Sequence, residues 1–96
     1  MSDRPTHGAR FRLERTRDDG AHAVYACTIS TPELDYACTA TLADDGTVAL
    51  VDCPAPRELA AALEMFAKLT ARSAPSRRAE GRIVWPARVL RWRAPK

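Results

Sequence analysis

From about residue 10 to residue 52 apolar and polar positions alternate along the chain, and from about 56 to 73 the apolar spacing lengthens to that of a helix. Three breaks punctuate the alternating part: Asp18-Asp19-Gly20, Thr31-Pro32-Glu33 and Asp44-Asp45-Gly46. An Asp-Asp-Gly triplet suits a three-residue hairpin loop whose glycine takes the left-handed conformation. The pattern predicts strands over about 10–17, 21–30, 34–43 and 47–52, joined as an antiparallel meander.

Register follows from the loops. A loop at 18–20 pairs Leu13 with Tyr25 and Phe11 with Cys27. A turn at Pro32-Glu33 pairs Ile29 with Tyr36, Cys27 with Cys38, Tyr25 with Ala40 and Ala23 with Leu42. The third loop sets Val48 against Leu42 and Leu50 against Ala40. All three loops send the apolar set to one face: Phe11, Leu13, Ala23, Tyr25, Cys27, Ile29, Tyr36, Cys38, Ala40, Leu42, Val48 and Leu50. A slip of one residue would turn every side chain over, so agreement among independent loops is strong evidence for the arrangement.

Pro56 suits the first position of the helix and Glu58 the positive end of its dipole. Leu59, Ala62, Leu63, Phe66, Leu69 and Thr70 form its apolar stripe, which should lie across the inner sheet face. Ser73-Ala74-Pro75-Ser76 ends the helix, and a polar run follows to Gly81. The segment 82–93 mixes β-formers with Pro86 and is read as extended, interrupted at Pro86 and packed back on the body. An extra edge strand is one form of that packing, and a short helix starting at Pro86 is the alternative. The fold class is therefore α+β in two layers: a four-stranded antiparallel meander with one helix on one face and a basic C-terminal segment. The predicted organisation is a flexible N-terminus over 1–9, a single ββββα domain over 10–73, and a C-terminal segment over 74–96 that packs on it.

The opposite sheet face would show Val24, Ala26, Ala37, Ala49 and Val51 among His22, Thr28, Thr39 and Thr41. It is apolar for a solvated surface and polar for a core. Either the C-terminal segment or a second copy of the sheet would cover it, or it is an Ala/Thr-rich solvated face. A homodimer through this face is one partner class to consider.

Composition sharpens the picture in two ways. Of 96 residues, 46% are hydrophobic but only 6% aromatic, so the core must rest on aliphatic side chains and a few rings. Residues 77–96 hold seven basic groups against one acid, while the rest of the chain holds eight against eleven, so the +3 net charge is a basic tail on a mildly acidic body. Both tryptophans lie in that tail. Arginine binds phosphates and tryptophan stacks on bases, so Arg77, Arg78, Arg82, Trp85, Arg88, Arg91, Trp92 and Arg93 are the candidate contacts for nucleic acid or another polyanion. Arg10, Arg12, Arg15 and Arg17 would extend the patch if the tail packs beside the first strand. The competing reading makes Val84, Trp85, Val89, Leu90 and Trp92 anchors that complete an aromatic-poor core.

Other chemistry has ordinary explanations. Cys27, Cys38 and Cys53 are an odd set with no close Cys-x-x-Cys pair, which fits neither a disulfide framework nor a zinc site. Cys27 and Cys38 read as buried packing residues, and Cys53 as the most exposed of the three. His7 and His22 have no ligand spacing around them, and turn formation already accounts for the Asp-Asp pairs. No Gly-rich phosphate loop or Ser/His/Asp pattern occurs. There is no apolar run of membrane-spanning length and no secretory leader pattern, so a cytoplasmic location without membrane contact is expected. The functional expectation is a small non-enzymatic binding or interaction module without catalytic residues, cofactor or metal; nucleic-acid binding through the Arg/Trp segment is the alternative.

Overall fold

A computed structural model describes residues 8–93. The element order is β1 (Ala9–Asp18), β2 (His22–Ser30), β3 (Asp35–Ala43), β4 (Val48–Val51), α1 (Arg57–Arg72), α2 (Ala74–Ala79) and β5 (Arg88–Arg93). The strands form one antiparallel sheet in the order β4-β3-β2-β1-β5. The fold is thus the two-layer α+β arrangement, with five strands and α1 packed on one face.

Two of the three hairpins have the register deduced from their loops. Cys27 lies opposite Cys38 and Tyr25 opposite Ala40, and Leu42 pairs with Val48. The β2–β3 turn is closed by the Thr31 amide donating to the Leu34 carbonyl at 3.1 Å and the Thr31 hydroxyl donating to the same oxygen at 2.7 Å. Gly20 and Gly46 both sit at φ 93°, the conformation their loops require.

The first hairpin corrects the prediction. Leu13 pairs with Cys27 and Phe11 with Ile29, two residues away from the partners given by a plain three-residue loop. The turn itself shifts the pairing by three, because Asp18 pairs with Ala23 and the Asp19 amide donates to the His22 carbonyl, and a β-bulge between Arg15 and Arg17 takes one residue back. The bulge inserts Thr16 as an extra residue in β1, and its hydroxyl donates to the Val24 carbonyl at 3.2 Å. Because the resulting displacement is even, Phe11 and Leu13 still face inward. Every residue of the predicted inner face is buried or packed against the core.

The helical stripe is also rotated relative to expectation. The buried positions of α1 are Ala62, Leu63, Ala67, Thr70 and Ala71, while Leu69 is exposed beside β5. Small side chains face the sheet most directly, which lets the helix approach closely. Phe66 meets Phe11 edge-on with ring centroids 5.1 Å apart. Pro56 serves as N-cap instead of first helical residue, and α1 ends at Ser73 as expected. The chain does not then run irregularly to Gly81: residues 74–79 form α2, with a proline in its first turn and Ala74 fully buried.

The C-terminal segment is fastened by long-range polar contacts. Trp85 is 2% exposed, and its indole N–H donates to the Gly20 carbonyl at 3.0 Å. Tyr25 Oη donates to Pro86 O at 2.7 Å, and Arg15 Nη1 donates to Trp85 O at 2.7 Å. After Pro86 the chain enters β5 and pairs with β1 from Ala9↔Arg93 to Glu14↔Arg88. It therefore widens the sheet in its own plane and does not cover the outer face. The predicted N-terminal segment 1–9 lies mostly outside the described residues, but Ala9 is already paired and buried in β1.

Candidate functional site

The arginines of the C-terminal segment divide into two groups by what they touch. Arg77 Nε donates to Val84 O at 2.6 Å, and its Nη2 donates to Thr70 O at 2.8 Å. Burial of the guanidinium lowers its pKa. Thr70 O lies in the last turn of α1, where carbonyls lack intrahelical donors, so Arg77 caps that end while holding the 84–87 connection. Arg78 Nη1 reaches Asp44 Oδ2 at 3.0 Å and its Nη2 reaches Gly20 O at 2.6 Å, tying α2 to both Asp-Asp-Gly loops. Together with buried Trp85, these three candidate contact residues hold the fold together.

The second group is on the surface. Arg82 is exposed and pairs with Glu80 at 3.2 Å. Arg88 and Arg91 are exposed on β5; Arg93 donates to Glu58 O at 3.4 Å, and Trp92 is 52% exposed. The pairing of β5 with β1 sets Arg88, Arg91, Trp92 and Arg93 beside the Ala9–Glu14 part of β1, which holds Arg10 and Arg12; Arg15 and Arg17 follow on the same strand. The two strands carry seven arginines against only Glu14 and Asp18. Glu14 bridges Arg12 at 3.1 Å and Arg88 at 3.7 Å across the strand pair. Arg10, Arg12 and Arg88 share the outer-face side of the register, and Trp92 pairs with Arg10. Sequence separation hides this patch, because its halves lie some seventy residues apart and only the strand pairing joins them.

At the other edge the sign reverses. Residues 31–56, which contain β3 and β4, include Glu33, Asp35, Asp44, Asp45 and Asp52 and no lysine or arginine. The sheet is therefore basic along β1–β5, while the β3–β4 side carries Asp35 on β3 and its other acids in the adjoining turns, with the uncharged β2 side chains Val24, Ala26 and Thr28 between.

The remaining candidates have structural roles. Asp19 Oδ1 accepts from the His22 amide at 2.8 Å and from the Ala21 amide at 3.1 Å, and the His22 amide bond chiefly holds its pKa down. Asp45 Oδ1 accepts from the Thr47 hydroxyl at 2.7 Å and its amide at 2.9 Å, which lowers its pKa in the same way. Asp44 is taken by Arg78, and Asp18 lies 3.5 Å from Arg15. None of these carboxylates is paired with another for acid–base work. The three cysteines are free, with Cys27 buried and Cys38 and Cys53 both half-buried. Desolvation pushes the Cys27 thiol up to about 11 and the Cys38 thiol up to about 12, away from the nucleophilic thiolate at neutral pH. Among the described residues no group of three or more His, Cys, Asp or Glu is arranged to hold a metal, and no helix is long and apolar enough to cross a membrane. His7 and Lys96 lie outside the described residues.

Comparison with known proteins gives no match: no family model, curated protein or solved structure is similar to the chain.

Proposed function

We propose that this chain is a small non-enzymatic binding module that takes a polyanion, nucleic acid in the first instance, on the strand pair β1–β5. The observation that carries the reading is the joining of Arg10, Arg12 and Arg17 of β1 with Arg88 of β5 on the outer sheet face, next to half-exposed Trp92. Arginine forks on a fixed strand pair meet phosphates at regular spacing, and an exposed indole offers a stacking surface for an unpaired base. Arg77, Arg78 and Trp85 are excluded from the contact set because their side chains are committed to hydrogen bonds within the chain.

The reading is tested by fluorescence anisotropy with labelled single-stranded and duplex oligonucleotides of random sequence. With about four phosphate contacts, affinity should fall about 100-fold between 50 and 200 mM salt. Replacing Arg12, Arg17 and Arg88 together by alanine should remove most of the binding while far-ultraviolet circular dichroism stays unchanged. Absence of binding to either oligonucleotide at low salt would overturn the proposal.

A further inference from the structure

The charge distribution on the sheet points to a second partner, which would share the outer β1–β5 surface with the polyanion. We propose that two copies of this chain associate face to face through the outer sheet surface, about a two-fold axis running along β2. Among the described residues no element crosses this face; α1 packs on the other side and β5 lies in the sheet plane. Its centre is small and nearly flat: Ala26, Ala37, Thr39 and Ala49 are exposed, with Val24 and Thr41 half-buried between them. Such positions allow two sheets to approach at the ~10 Å spacing of a β-sandwich.

The charge pattern selects the orientation. A two-fold axis along β2 places β1 and β5 of each copy over β3 and β4 of the other. The outer-face arginines of that strand pair, Arg10, Arg12, Arg17 and Arg88, then lie over the half of the facing sheet that presents Asp35 and no base. In register terms Arg10 of one copy comes over Asp35 of the second copy, and Arg88 comes over Val51 beside Asp52. Turning one sheet half a revolution about the face normal would instead bring like charges together. Pairing of two β5 edges is disfavoured for the same reason, because Arg88, Arg91 and Arg93 would face their own copies.

The available area sets the strength. Five strands at ~4.8 Å spacing, each presenting about 20 Å of length, offer roughly 500 Å² of flat face per copy. The total of roughly 1,000 Å² lies at the lower end for specific interfaces, so a weak, reversible dimer follows. Its opposed charge halves make it salt-sensitive.

Sedimentation velocity on the intact chain, from about 10 to about 500 μM, tests this. The expected result at about 0.05 M salt is a monomer–dimer equilibrium whose Kd rises tenfold or more at about 0.5 M salt. Ala26→Glu, exposed at the axis, sets two carboxylates against each other and should abolish the dimer without changing circular dichroism. Arg10→Glu and Asp35→Arg should each be monomeric alone, and an equimolar mixture should form a heterodimer, because both cross-copy pairs are then opposite in sign. A monomer throughout the concentration range at low salt would overturn the inference. So would a dimer indifferent to Ala26→Glu, or a mixture of the charge-reversed chains that stays monomeric. None of these outcomes depends on whether the chain binds nucleic acid.

Discussion

Replacing Arg77 by methionine separates an arginine that builds the fold from one that contacts a partner. The change keeps the aliphatic stem and removes the two guanidinium bonds, to Val84 O at 2.6 Å and Thr70 O at 2.8 Å. Hydrogen bonds made by charged groups contribute about 1.5–3 kcal/mol each, and part of that is offset because burying the guanidinium itself costs free energy. The lowered pKa of Arg77 records that cost. The balance is a loss of about 2–4 kcal/mol, a large share of a small domain's stability. In a chain of this size the loss corresponds to a Tm lower by about 10–25 °C. Urea unfolding followed by tryptophan emission gives the free energy directly. At low temperature, where the variant is folded, its affinity for an oligonucleotide should stay within about twofold of the parent, since one engaged arginine contributes no counterion release. A destabilisation under about 0.5 kcal/mol, within the range of ordinary surface changes, would refute the structural role. Loss of binding in a fully folded variant would refute the division of the arginines into two groups.

Four further outcomes follow from the same geometry. Trp92→Phe should leave a blue-shifted emission that iodide quenches poorly, because Trp85 is 2% exposed, whereas Trp85→Phe should leave a quenchable signal from half-exposed Trp92; similar quenching in both would contradict the assignment. Truncation after Ser76 removes Trp85, Val89 and the strand paired with β1, so the remainder should lose its cooperative urea transition; a retained sharp transition would show that β1–β4 and α1 suffice. Gly8→Ala should destabilise the β1–β5 end by about 1–3 kcal/mol, since Gly8 has φ 73° and an added Cβ would come within 2.4 Å of Arg93 O; an unchanged urea midpoint would argue against that close approach. At high pH the thiols of Cys27 and Cys38 are held up to about 11 and about 12, and the Tyr25 phenol up to about 12, all chiefly by desolvation. Their folded pKa values are raised, so the unfolded chain releases these protons first; stability is fully present below about pH 9 and should fall by about 2–5 kcal/mol by pH 11, discounted because solvent reaches Cys38. Urea midpoints constant from pH 8 to 11 would contradict this.

The local chemistry of the turns made much of the sheet legible. At Thr31–Leu34 and Asp44–Gly46 the turn residues alone determine which positions face each other, and the side-chain period of two carries that decision along both strands. The loop at Asp18–Gly20 was less informative because the chain turns at Gly20-Ala21, closed by the Asp19 amide on the His22 carbonyl. Thr16 then forms a bulge, which depends on how the flanking strands twist and not on a composition signal of its own. In α1, periodicity identified the helix, but several rotations bury nearly the same apolar content. Packing chose the one that turns Ala67 and Ala71 inward and leaves Leu69 beside β5.

What the sequence determined by itself was the alternation, the hairpin loops, the single long helix and the concentration of positive charge near the C-terminus, all properties of neighbouring residues. What tertiary structure alone decided was the use of that charge. Arg77 and Arg78 are close to Arg82 in the chain, yet the first two are consumed by carbonyls and a carboxylate brought from Thr70, Val84, Gly20 and Asp44. Arg88 joins Arg10 and Arg12 only because β5 pairs with β1. Turn and periodicity signals act over a few residues, whereas a charge's role depends on partners tens of residues away, and those are known only once the strands have taken their order.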